Sequence, residues 1–386
     1  MLLLYVHIFI KLKTFAAHKD MNEDFLRRKL LHRKEANAYR ELRQHPSAVD
    51  FCSNDYLGIV THKHIHLRND EAGDKFYGST GSRLISGNYS LIEDVENKIA
   101  EFHQAEAGLI FNSGYDANVG LLGTIPQRND TVLYDQLSHA SIRDGIRLSH
   151  AFAFSFDHNN TDDLERRLQN AAGNIFVVTE SVFSMDGDMA PLEEMAALCE
   201  SYNASLIVDE AHATGIVGNY GEGLVQALGL EKKCFARVHT FGKALGCHGA
   251  IVLGSETLRE YLINFSRPFI YTTGMPAAAV NAISYSYSIF PTMMEERKHL
   301  DTLVGIFREK NCNLRLCDSV TPIQGVIIPG NEEVKNMEKR LQQEGLDVRA
   351  ILYPSVPKGE ERLRVVLHAF NTEQEVERLV NMLQNN

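Results

Sequence analysis

One lysine stands among small residues in the stretch HTFGKALGCHGA, residues 239–250. Lys243 lies between Gly242 and Ala244, with Gly246 and Gly249 close behind. A cationic side chain on a solvated surface needs no such clearance, whereas one that must touch a flat partner does. Asp209 lies 34 residues earlier, in LIVDEAH, at the polar end of an apolar run. Two chemistries use such groups. A strand ending Asp-Glu-Ala-His serves nucleic-acid helicases in holding Mg²⁺, but that chemistry also needs a G-x-x-x-x-G-K-[ST] loop. The sequence has no such loop, and Gly242-Lys243 is followed by alanine. The second chemistry is that of pyridoxal phosphate: a lysine amine forms a Schiff base, and a carboxylate keeps the pyridine nitrogen protonated so that the ring accepts electrons. A lysine with an ordinary pKa of about 10.4 is a poor nucleophile at neutral pH. Confinement near other cations lowers that pKa. On this reading the small neighbours of Lys243 leave room for the ring. An Asp and a Lys at this spacing are common by chance, so the pair alone does not decide.

Such groups act only where a fold brings them together. AGLIFNSG, DTVLYD, NIFVVTES, ASLIVDEAH and HGAIVLGS are short apolar runs ending in turn or polar residues, the form of buried strands. Helical segments separate them. This alternation predicts an α/β fold, a mostly parallel central sheet with helices on both faces. Ligands on such sheets bind beyond the carboxyl ends of the strands. Polar tails stand there: Asn112 to Tyr115, Asp135 to His139, Glu180 to Ser184 and Asp209 to His212. Residues 56–285 are expected to form this large domain, and residues 286–386, with GVIIPG and RLRVVLHAF, a smaller α+β C-terminal domain. Before them come an extension over residues 1–20 and a helical N-terminal arm over residues 21–55. Ser90 and Glu93 have capping-box spacing at the head of SLIEDVENKIAEFHQ.

The 386 residues include 39 Lys and Arg against 50 Asp and Glu, a net charge of −11. That balance disfavours general nucleic-acid binding but leaves room for an anion in a local basic pocket. Six cysteines without a CxxC pair argue against a disulfide framework and a zinc site, so reduced thiols in the cytoplasm and no metal are expected. The N-terminal MLLLYVHIFIKLKTFAA contains an apolar run of about ten residues, too short to span a membrane. It lacks the positive leading region of a signal peptide, although Ala16-Ala17 resembles a cleavage site, so a dispensable extension is expected rather than a targeting segment, with no membrane association.

Eight motifs occur in order: FCSNDYLG, GSTGSRLISGNYSLIEDVE, FNSGYDANVG, DQLSHASIRDG, TESVFSMDGDMAPL, VDEAHATGIVG, HTFGKALGCHGA and RPFIYTTGMP. Together the chain resembles the α-oxoamine synthases, a pyridoxal phosphate-dependent family of the aspartate aminotransferase type, fold type I, from about residue 26 to 382. The resemblance implies that Lys243 forms the Schiff base, Asp209 pairs with the pyridine nitrogen, His212 lies by the phenolic oxygen and His139 stacks on the ring. Ser184 and Glu180 would complete that polar shell, and Gly114, Tyr115 and Thr240 would hold the phosphate. Thr272 or Thr273 would reach it from the other subunit of a homodimer. Arg364, with Asn54 and Ser355 nearby, would hold the amino acid, and Arg40 would meet the acyl substrate. The motifs are most similar to those of members that join L-alanine to a pimeloyl thioester, on CoA or on a carrier protein. Members using glycine with acetyl- or succinyl-CoA, or serine with a long acyl-CoA, share the same machinery, and so does a non-catalytic partner subunit of this fold.

Taken singly, each residue has a plainer reading. His139 can be a strand-end histidine, Ser184 and Glu180 turn caps, and Arg40 a solvated helix arm. Arg362 and Arg364 alternate with Leu363 and Val365, as on any half-exposed strand. Two positions depart from the family pattern: Gly274 stands where Ala or Ser is common, and Cys247-His248 where small residues are usual.

Overall fold

The computed structural model describes residues 23–42, 48–65, 77–310 and 314–384. The extension expected over residues 1–20 lies outside them.

Seven strands form the central sheet: β2 (Ala107–Phe111), β3 (Thr131–Asp135), β4 (Phe152–Phe156), β5 (Ile175–Glu180), β6 (Ser205–Asp209), β7 (Cys234–Thr240) and β8 (Ala250–Gly254). Their order is β2-β8-β7-β6-β5-β3-β4. Only β8 runs antiparallel to its neighbours; the remaining pairings are parallel. Alternate residues along one strand feed different cores. Leu133, Val177, Leu206 and Ile251 join one buried cluster, while Val132, Val178, Ile207 and Val252 join the other. Period-two side-chain alternation on a sheet covered on both faces requires this.

A second, three-stranded antiparallel sheet has the order β11 (Arg349–Ile351), β12 (Arg362–Val366), β9 (Ile323–Ile327). A two-residue parallel ladder joins β1 (Val49–Asp50) to β10 (Leu346–Asp347), tying the start of the chain to its last part. The N-terminal helix Asp24–Glu35 buries none of its side chains. Among the described residues no helix is long and apolar enough to cross a membrane.

Two strands of the large sheet are not among those expected from the sequence. β7 carries Arg237 and His239, both buried, so its sequence reads as mixed. β4, Phe-Ala-Phe-Ser-Phe, is apolar but stands outside the expected strands; it lies at the sheet edge with Phe152 and Phe154 exposed. The expected capping box is also absent. The helix begins at Ser90 itself, after Tyr89, so Ser90 is one residue too late to cap, and Glu93 instead accepts from Asn88 Nδ2 at 2.7 Å.

Candidate active site

The carboxyl ends of β5, β6 and β7 open on a cavity of about 490 Å³. Register alone puts Glu180 beside Asp209, at the last positions of β5 and β6. Two helix starts complete the rim. After β2 the chain turns at Ser113, whose hydroxyl accepts from the Asp116 N–H at 3.0 Å, into the helix Gly114–Leu122. After β3, His139 caps the helix Ala140–Ser149. The first N–H groups of a helix have no partner within it and attract anions. At Gly114 an added Cβ would sit 3.4 Å from Thr240 Oγ1, so glycine keeps that corner of the cavity open.

Asp209 is held at both oxygens. Asn118 Nδ2 donates to Oδ2 at 2.7 Å and the Ala211 N–H to Oδ1 at 2.9 Å. Asn118 also donates to Ser141 Oγ at 3.1 Å. The Ser141 hydroxyl and N–H lie 2.8 and 3.3 Å from His139 Nδ1, so Nδ1 accepts and the ring proton sits on Nε2. Burial lowers the His139 pKa, opposed by Asp209 and reinforced by Lys243, which keeps the imidazole neutral. Burial pushes His212 well below its ordinary value, helped by Lys243 and Arg364. Its Nδ1 lies 2.8 Å from the Tyr56 hydroxyl, which donates to Asn54 Oδ1 at 3.2 Å.

Lys243 is half-buried on the cavity wall, and no hydrogen bond or ion pair holds its amine among the described residues. Burial lowers its pKa; Asp209 and Glu180 oppose this and Arg364 adds to it. Glu180 is raised by burial and by Asp209. Its Oε1 accepts the His139 N–H at 2.7 Å.

The glycines around Lys243 serve the backbone more than clearance. Gly246 and Gly249 have φ of +64° and +103°, and an added Cβ would lie 2.8 Å from Val60 Cγ2 or 2.5 Å from Met275 Cε. Gly242 is different: the nearest atom to an added Cβ is 3.7 Å away.

Arg364, on β12, reaches the cavity from the small sheet. Its Nε donates to the Ser184 carbonyl at 2.6 Å and its Nη2 to Asn54 Oδ1 at 3.0 Å. Two of its five donors are thus used, Tyr56 also hydrogen-bonds the guanidinium, and the remaining donors are left for a ligand. Thus Lys243, His139, Asp209, His212, Gly114, Tyr115, Glu180, Ser184, Thr240, Asn54 and Arg364 line one cavity. Arg40 and Ser355 do not. They lie 3.4 Å apart in an adjoining cavity of about 530 Å³ that shares Met185, Arg349 and Ile351 with the first. Thr272 and Thr273 lie elsewhere, tied to Asn112 Nδ2 at 2.9 and 3.0 Å through the Thr272 hydroxyl and the Thr273 carbonyl. Sequence reasoning missed Asn118, Ser141 and Tyr56. Asn118 offered one clue, a polar residue among the apolar positions of its helix.

Among the described residues, no three His, Cys, Asp or Glu side chains are grouped to hold a metal ion. Gly274 has a packing reason: an added Cβ would lie 2.7 Å from the Gly87 carbonyl oxygen.

Residues 46–383 match the aminotransferase class I and II family. The chain belongs to this family. Within it, an 8-amino-7-oxononanoate synthase of Emericella nidulans is 41% identical, over 93% of this chain and 94% of its own length. One from Marinobacter nauticus is 39% identical, over 91% and 93%. A serine palmitoyltransferase variant from S. paucimobilis, solved with a bound PLP–myriocin aldimine, has a TM-score of 0.86 at 28% identity, covering 94% of this chain and 96% of that one. The 8-amino-7-oxononanoate synthase of Francisella tularensis has a TM-score of 0.77 at 28% identity, covering 87% and 97%. These relatives are α-oxoamine synthases.

Proposed function

We propose that the protein is a pyridoxal 5′-phosphate-dependent acyltransferase that condenses L-alanine with a pimeloyl thioester, giving 8-amino-7-oxononanoate, CO₂ and a free thiol in biotin synthesis. One observation carries this reading: an unpaired Lys243 amine shares a cavity with Asp209, in a chain about 40% identical, nearly end to end, to proteins of that name.

The residues fit the cofactor. Lys243 Nζ would hold it covalently. Asp209, fixed by Asn118 and Ala211, would hold the proton on the ring nitrogen. His212 would lie by the ring oxygen, with Ser184 and Glu180 in the surrounding shell. The helix start at Gly114 and Tyr115, with Thr240, would take the phosphate. When bound, the cofactor withdraws electrons from the α-carbon of the amino acid.

Arg364 would grip the carboxylate of L-alanine with its remaining donors, beside Asn54. Lys243 Nζ, displaced by the amino acid, would take the α-proton; its lowered pKa makes the neutral amine accessible. His139 Nε2–H would donate to the thioester carbonyl as charge develops there. The cavity of Arg40 and Ser355 would receive the acyl chain. A homodimer, with Thr272 or Thr273 reaching the partner's phosphate, and a cytoplasmic location complete the reading.

The test is absorption of the purified protein during separate titrations with L-alanine, glycine and L-serine, followed by product analysis with pimeloyl-CoA and pimeloyl carrier protein. A cofactor band that responds at the lowest concentration to L-alanine, and 8-amino-7-oxononanoate as product, are expected. A stronger response to glycine or serine would move the protein to another α-oxoamine synthase. No band even after added pyridoxal phosphate would end the enzyme reading.

A further inference from the structure

Arg362 and Arg364 lie on one face of β12, while Leu363 and Val365 are fully buried on the other. Both arginines hold a single loop, residues 181–189. Arg364 Nε takes the Ser184 carbonyl at 2.6 Å, and Arg362 Nη1 is ion-paired with Asp186 Oδ1. Two residues along the strand match two residues along the loop.

The loop has little freedom between these contacts. The Gly187 N–H donates to the Phe183 carbonyl at 2.9 Å, and the Phe183 N–H to the Asp188 carbonyl at 3.0 Å. The Gly187 carbonyl accepts from Ser319 Oγ and Thr321 Oγ1, both at 2.9 Å. Gly187 has φ +76°, and an added Cβ would lie 2.1 Å from the Ile323 carbonyl oxygen. On the sheet side, Asp188 Oδ2 lies 2.6 Å from His158 Nε2, and His158 Nδ1 lies 2.9 Å from Asp135 Oδ1 at the end of β3. The loop is therefore bolted to both sheets, and Ser184 and Met185 project from it into the active-site cavity.

Asp186 lines a different cavity, of about 600 Å³, which also contains Arg315, Cys317 and Arg362 but not Lys243 or Asp209. Arg362 is 7% exposed in its side chain and has no other carboxylate within ion-pair distance among the described residues. Its remaining partners are the Glu360 carbonyl at 2.9 Å and Cys317 Sγ at 3.3 Å.

We propose that Asp186 is a positioning residue for the amino-acid carboxylate: by holding Arg362, it sets the register between β12 and the loop and so aims Arg364 into the cavity. This rests on the reading of Arg364 as the carboxylate grip. A register error there moves the Ser184 carbonyl and hence the orientation of the Arg364 fork, while the Lys243 side of the cavity, built on β5 to β7, stays in place.

Asp186→Asn in the cofactor-loaded protein tests this. Binding of L-alanine and of ethylamine, which is L-alanine without its carboxylate, is read from the cofactor band. The expected result is about a tenfold loss of the preference for L-alanine over ethylamine, with ethylamine affinity unchanged. KM for L-alanine should rise by a similar factor, and kcat and KM for the thioester should change less than threefold. A structural defect would instead weaken both amines and lower kcat. Arg362→Lys, which keeps the charge but not the fork, gives a second readout should Asp186→Asn fail to fold, and should reduce the same preference. Wild-type preference in the folded variants would overturn the proposal. Arg364→Lys separates the two failures. If it reduces the preference while the Asp186 and Arg362 variants do not, only the positioning role falls. If Arg364→Lys leaves the preference intact, the carboxylate reading falls and the proposal with it.

Discussion

His158 provides a pH test of how firmly the 181–189 loop is held. Its two ring nitrogens lie between Asp135 and Asp188, at 2.9 and 2.6 Å, and the Phe183 ring meets it edge-on at 4.4 Å. Burial disfavours the imidazolium, but the bonds to the two carboxylates outweigh it and raise the pKa from the ordinary 6.5 to about 9. Below pH 6.5 the ring is protonated in folded and unfolded chains alike, and the full ion-pair stabilisation is present. As the pH climbs through about 9 the folded protein loses that proton and the extra stability with it. A rise of this size corresponds to about 3 kcal/mol. For a chain of this length that is about 4 °C in Tm. The perturbation is His158→Gln, since a neutral amide cannot carry the charge between the two carboxylates. Thermal unfolding of wild type and variant, in parallel from pH 5.5 to 10, cancels the contributions of other titrating groups. The wild-type advantage should be greatest near pH 6 and should shrink by about 4 °C by pH 10. A gap that stays constant over this range would refute the argument, because it would mean that His158 contributes packing and hydrogen bonds but no charge.

Three further predictions concern the cavity and its supports. Pyridoxal phosphate should react with the Lys243 amine of the apoenzyme with a pH midpoint below the ordinary 10.5, and Asp209→Asn should lower it further, because the Asp209 charge opposes the effect of burial; a midpoint at or above 10.5, read from the rate of band formation, would contradict this. The same Asp209→Asn variant should lose turnover by about tenfold to 150-fold, the equivalent of one charge-assisted bond of about 1.5–3 kcal/mol; unchanged kcat would remove Asp209 from the reaction. Gly274→Ser should destabilise the protein by about 1–3 kcal/mol through its collision with the Gly87 carbonyl; an unaltered Tm would show that the two segments separate freely.

The parts of the fold legible in the sequence were those where burial writes itself in composition. β2, β3, β5, β6 and β8 each centre on a run of consecutive apolar residues, and all are central or covered. β7 was illegible because its buried positions include Arg237, whose Nη2 donates to the His103 carbonyl at 2.6 Å, and His239, whose Nδ1 lies 2.9 Å from Thr214 Oγ1. Those partners come from distant segments. The antiparallel run of β8 was hidden with it: the connection from Thr240 to Ala250 is too short for a parallel crossover, but that inference needs β7 to be recognised first. In the site, residues at strand ends were found because the topology gathers strand ends. Asn118, Ser141 and Tyr56 were not, since each acts by touching another side chain rather than by its own position. Arg40 and Ser355 fall in a neighbouring cavity, a separation that local spacing does not encode.

The ladder between Val49–Asp50 and Leu346–Asp347 has a consequence for how the protein is made. Cys52 and Asn54 follow directly on β1 and line the cavity, and Arg364 comes 17 residues after the end of β10. A nascent chain that has just released β8 from the ribosome already holds Lys243, Asp209 and His139, but β1 has nothing to pair with. Arg364 reaches the cavity only once synthesis is nearly finished. The half of the site that would hold the cofactor can thus assemble during translation, whereas the half that would select the amino acid closes last.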